Sequence, residues 1–96
     1  MVLAWDHKGP VGVERRDAAR AAHSESIRAL WEEGHVVLGA GIRDDEGAIT
    51  GSLVIVEHPS RDDVDRYLES EPFVSQSVWE RVEVHPVFVP DFYLGR

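Results

Sequence analysis

The chain predicts an α+β domain in the order strand, helix, strand, strand, helix, strand: an antiparallel sheet with both helices packed on one face. Three observations carry this. Two helical segments are legible, a long one stopped by Gly34 and a short one opened by Ser60-x-x-Asp63 and closed ahead of Pro72. Four stretches with β-branched or alternating apolar residues surround them, and the middle two are joined by the turn Asp44-Asp45-Glu46-Gly47. Finally, Val2 to Trp5, Val36 to Leu38 and Leu53 to Val56 are apolar at consecutive positions, where a half-solvated sheet would alternate. Two helices cover only one face, so the other is expected to meet a second copy, sheet on sheet, in a two-fold homodimer.

Taken in order, Val2 to Trp5 forms the first strand, and Asp6-His7-Lys8-Gly9-Pro10 is a polar loop carrying a Gly-Pro breaker. The first helix is expected from about Glu14 to Glu33. His35 to Ile42 and Ile49 to Glu57 make the hairpin. Within it Gly39 and Gly41 alternate and leave one face of the strand without side chains, which suits a helix, a ligand or another backbone approaching closely. The second helix follows Ser60 and ends by Ser70 or Glu71. Phe73 to Ser77 reads as a brief turn, and Val82, Val84, Pro86 and Phe88 alternate with Arg81, Glu83 and His85 as the last strand. The aromatic tail around Phe92 and Tyr93 is expected to dock.

Composition narrows the function. Ninety-six residues at 43% hydrophobic and 29% charged predict a single domain spanning the chain. A net charge of −8 disfavours sequence-independent nucleic-acid binding and anionic membranes, both of which need clustered cations. Cysteine is absent, so disulfides and thiolate chemistry are excluded; no leader or membrane-length apolar run is visible, and a cytoplasmic location is expected.

The first helix carries the most chemical information. At about 100° per residue, Ala19, His23, Ile27 and Leu30 share one stripe, with Arg16 close behind and Arg20 at its edge. One end of the core-facing stripe is therefore polar. A helix that only packs would continue with Leu or Val, because an imidazole or guanidinium removed from water needs a partner. A core histidine bonded to backbone and arginines whose stems lie along the helix account for the same pattern.

Arg20-x-x-His23, the Gly39/Gly41 strand leading to Gly51-Ser52-Leu53-Val54-Ile55-Val56, Glu71-Pro72-Phe73-Val74 and Val82-Glu83-Val84-His85-Pro86 together resemble the YCII-related family of small dimeric α+β barrel proteins. The resemblance spans nearly the whole chain. It implies a ferredoxin-like βαββαβ fold, a homodimer, and a pocket where His23 pairs with the acidic residue before the proline, here Glu71. One branch of the family is a dehydrochlorinase of a chlorinated hydroxyquinol, and lactone isomerases share the wider architecture. The family pattern has Asp-Pro where this chain has Glu71-Pro72. Glu is a poor N-cap, so a task beyond capping is expected of it.

Other constellations are thin. His7, His35, His58 and His85 lack metal-site spacing, and no metal or other cofactor is expected. Gly39-x-Gly41 lacks the third glycine and the helix of a dinucleotide fingerprint. Ser52 is either a pocket hydroxyl or an ordinary strand residue. Two functions remain: an acid–base enzyme (lyase, dehydrochlorinase-like or isomerase) using His23 and Glu71 on a small cyclic or aromatic-derived compound, or a non-catalytic ligand-binding homodimer. Arg16 and Arg20 either hold an anionic or phenolate-like substrate or pair with Glu71.

Overall fold

In the computed structural model, which describes residues 1–95, β1 (Val2–Asp6), α1 (Pro10–Glu32), β2 (Val36–Arg43), β3 (Ile49–Val56), α2 (Arg61–Ser70), α3 (Pro72–Ser75) and β4 (Trp79–Val84) follow in order, with a 3₁₀ turn at Asp91–Leu94. The strands pair antiparallel in the order β2-β3-β1-β4, a ferredoxin-like βαββαβ sheet with α3 added after the second helix.

Strand alternation divides the side chains between two faces. Val2, Ala4 and Asp6 are buried, and the register sets Val54 and Ser52 opposite Val2 and Ala4 on the same face. There Val2, Ala4, Val36 and Val54 pack with Ala19 of α1, Tyr67 of α2 and Phe73 of α3. The opposite face carries Leu3, Trp5, Leu53 and Ile55 in cross-strand register, with the Arg81 guanidinium 4.2 Å from the Trp5 ring centroid. Leu38, paired with Ile55, is 46% exposed.

Local chemistry explains most boundaries. Pro10, whose fixed φ suits the first helical position, starts α1 four residues before the expected Glu14. Gly34 at φ 83° closes the helix, and His35 N–H donates back to Leu30. Asp44 accepts from the backbone N–H groups of Glu46 and Ala48, which shapes the hairpin turn. Ser60 accepts from Asp63 N–H as the cap of α2.

Three expectations need correction. The last strand is Trp79–Val84 rather than a run reaching Phe88, because its partner β1 begins at Val2; past His85, which pairs with Met1, there is no strand left to bond. The turn after Pro72 contains a helical segment, α3. The tail does not dock on the rest of the chain: Phe92 and Tyr93 pack on each other at 4.1 Å and are 72% and 68% exposed, and Phe88 is 86% exposed.

Candidate active site

The polar end of the α1 stripe meets the C-terminal end of α2. Pro72 bars a helical conformation at Glu71, which takes φ −70° and ψ 122° and so turns its side chain back under α1. His23 Nδ1 lies 2.5 Å from Glu71 Oε1. Tyr67, one helical turn before Glu71, donates its hydroxyl to Oε2 at 2.9 Å, and the Phe73 N–H donates to Oε1 at 3.2 Å. Glu71 is wholly buried, and these donors replace the water it has lost. Burial foremost, then the charge of Glu71 and the hydrogen bond to it, push the Tyr67 phenol far up. Tyr67 therefore stays protonated and serves only as donor. Glu71 also caps α3 through the oxygen that faces His23, so capping and imidazole binding are joint tasks of one carboxylate.

A carboxylate acceptor at Nδ1 selects the tautomer with the proton there, leaving Nε2 as the free base of the neutral ring. Nε2 has no partner among the described residues. The ring stacks on Phe73 at 3.8 Å and 8° between planes, which fixes its orientation. His23 lines a cleft of about 640 Å³ between α1 and the β2–β3 hairpin.

A second buried network borders this one. Arg16, 8% exposed, donates from Nε to Asp6 Oδ2 at 2.6 Å, and from Nη2 to Asp6 Oδ1 at 3.0 Å and Ser52 Oγ at 2.8 Å. Trp79 Nε1 donates to the same Ser52 oxygen at 3.3 Å. The Arg16 guanidinium stands 4.6 Å from the Phe73 ring centroid, so Phe73 links the arginine and the histidine. The alternative partner considered for Arg16, Glu71, is replaced by Asp6. Arg20 is exposed and bonded to Asp17 at 2.7 Å on the cleft's lip. A surface pair of this kind contributes at most about 1 kcal/mol, so Arg20 is easily redirected toward a ligand.

Arg16, Arg20, His23 and Ser52 thus share one cleft, with Glu71 behind His23. The cleft is lined by three arginines, the third being Arg28, and by no carboxylate, in a chain with 18 acidic and 10 basic residues. Among the described residues no group of three His, Asp or Glu side chains is arranged to hold a metal ion, and no helix is long and apolar enough to cross a membrane. Sequence reasoning missed Asp6 and Tyr67. Asp6 was read as loop, yet it continues the Val2, Ala4 alternation inward toward an arginine that needs an anion. Tyr67 lies four residues before Glu71, one helical turn away, and that spacing is the signal that could have placed its hydroxyl on the carboxylate.

Fold and site together define a small ferredoxin-like protein with a histidine–carboxylate pair at an arginine-lined cleft. The chain belongs to the YCII-related domain family, whose model matches residues 1–87. It is 31% identical over 80 residues to Protein YciI of Escherichia coli O6:H1 strain CFT073, covering 77% of this chain and 82% of the relative, and Protein YciI of Shigella flexneri matches equally. Among solved structures it is similar to 5-chloro-2-hydroxyhydroquinone dehydrochlorinase from Burkholderia phenoliruptrix AC1100 in complex with 2,5-dihydroxybenzoquinone. That likeness has a TM-score of 0.74 and 23% identity, and covers 95% of this chain and 96% of the other.

Proposed function

We propose that this protein is an acid–base enzyme of the lyase or isomerase type acting on a small hydroxylated ring compound, working without a cofactor and as a homodimer. The observation that carries the reading is the contact between His23 Nδ1 and the buried Glu71, which leaves Nε2 without a partner among the described residues in a ring that lines the cleft. In this reading Nε2 takes a proton from a ring hydroxyl or an adjacent ring carbon. From a hydroxyl, the O–H pair forms a carbonyl and the displaced C=C pair takes a proton at a ring carbon; from an sp³ ring carbon beside that carbonyl, the C–H pair forms a C=C, and the pair it displaces moves to the carbonyl oxygen as an enolate or leaves with a halide on the neighbouring carbon. Glu71 holds the tautomer and stabilises the imidazolium that results; Tyr67 and the Phe73 N–H keep the carboxylate in place. Arg16 and Arg20 stabilise the oxyanion that develops, and Ser52 holds Arg16. The dehydrochlorinase likeness supports a hydroxylated ring as the substrate type.

The test is proton transfer itself. The ring C–H groups of 2,5-dihydroxybenzoquinone exchange with D₂O through a keto tautomer, and the protein is expected to accelerate that exchange. His23→Asn should remove the acceleration and Glu71→Gln should reduce it by about 10²-fold or more, the scale of general acid–base catalysis. Binding without acceleration, unaltered by either substitution, would instead identify a ligand-binding module.

A further inference from the structure

Most glycines in this chain are required by the backbone. Four have positive φ, and a Cβ at Gly12 or Gly51 would strike a backbone carbonyl oxygen, at 1.7 Å from His7 or 2.4 Å from Ala4. Gly39 and Gly41 have no such reason. Neither takes a left-handed conformation; a Cβ at Gly39 would meet only the Leu53 carbonyl at 3.8 Å, ordinary contact, and one at Gly41 only the Ile49 side chain at 3.1 Å. Glycine weakens a strand, and these two sit four and six residues into β2, an edge strand. Both line the cleft, and the register places them opposite Val54 and Ser52, on the face toward α1.

A second observation lies across the cleft. Arg16 is more than nine-tenths buried, yet only Nε and Nη2 are engaged; Nη1 has no partner among the described residues, and the arginine lines the cleft. Its fork is fixed by Asp6, so the open donor is held in place before any ligand arrives.

We propose that Gly39 and Gly41 form the bed for a planar ring, and that Arg16 Nη1 takes an anionic oxygen of that ring, a phenolate, enolate or carboxylate. The proposal rests on the cleft assigned above and adds what the cleft selects. A flat ring lies directly on side-chain-free backbone, and any Cβ there occupies its volume. Arg16 and Arg20 are each paired with an aspartate outside the lining, Asp6 and Asp17, so the preference for an anion comes from the open Nη1 of Arg16 and from Arg28.

The test uses 2,5-dihydroxybenzoquinone as the probe, with binding followed by calorimetry and by amide shifts. Wild-type protein should bind it with shifts at the Gly39 and Gly41 amides. Gly39→Val should weaken binding at least tenfold while leaving Tm unchanged or raised, because valine suits a strand better than glycine. Arg16→Lys, which keeps the charge and loses the fork, should also weaken binding. Binding by wild-type protein with no acceleration of the D₂O exchange would sink the catalytic reading and leave this one standing. Equal affinity in Gly39→Val, shifts confined to other surfaces, or no binding by wild type at millimolar probe would overturn the proposal.

Discussion

Asp6 and Glu71 are the two buried carboxylates among the described residues; Asp6 holds the Arg16 guanidinium and Glu71 holds the His23 ring. Removing one partner of a buried pair leaves an uncompensated charge, so Asp6→Ala should lower stability by about 3–5 kcal/mol in chemical denaturation, against less than about 1 kcal/mol for Asp17→Ala at the exposed Arg20 pair. Similar losses at both sites would contradict the distinction between them. His58 supplies a pH dependence. Its Nε2 is buried without a partner, and burial first, then the nearby His35, hold its pKa below 6.5, with Asp63 opposing. The unfolded chain therefore binds the proton more readily, so stability is full above about pH 6.5 and falls as pH drops toward the folded pKa. His58→Phe should flatten that acid slope in Tm measurements; an unchanged slope would assign it to other groups. At this scale the phase of α1 singles out His23 and Arg16 in the sequence, and the family resemblance adds Glu71 as the proposed partner of His23. Asp6 and Tyr67 stayed hidden because burial of a polar side chain is decided by the partner that reaches it across the fold.

The elements were legible wherever a local signal fixed them. Ser60, Pro72, Gly34 and the Asp44 to Gly47 turn each act within a few residues, and each stands where expected. β4 was misplaced because two non-local facts set it: β1 begins at Val2, and the β1–β4 register shifts between Trp5 and Asp6, which interrupts the alternation that places Trp79 in the core. α1 started early because Pro10 opened it. Its first turn lies against the β1–α1 loop, with Gly12 giving room for the His7 carbonyl. In an exposed helix Gly→Ala stabilises by about 1 kcal/mol. Here the sign reverses: Gly12→Ala is expected to cost about 1–3 kcal/mol in urea unfolding, as forced overpacking does. A stabilised variant would show that α1 does not depend on this contact.

At the scale of the whole molecule, one sheet face packs on the helices while Leu3, Trp5, Leu53 and Ile55 face the other way, and the aromatic rings of the tail stand exposed. Val54 is buried toward the helices, so Ile55 is its outward neighbour. In the proposed homodimer, Ile55→Asp should convert a two-chain mass in sedimentation to a one-chain mass at micromolar concentration with the fold retained. A wild-type mass of one chain would remove the dimer from the account. Such a dimer would cover the sheet face and leave the α1–β2 cleft, on the opposite side, to the ligand. The central claim concerns that cleft: Glu71 orients His23 so that a bare Nε2 meets the ligand. Long-range ¹H–¹⁵N spectra of the His23 ring, with and without 2,5-dihydroxybenzoquinone, test it most directly. The account predicts a proton on Nδ1 and an Nε2 resonance that moves when the probe binds; a proton on Nε2 of the neutral ring, or a ring indifferent to bound probe, would contradict it.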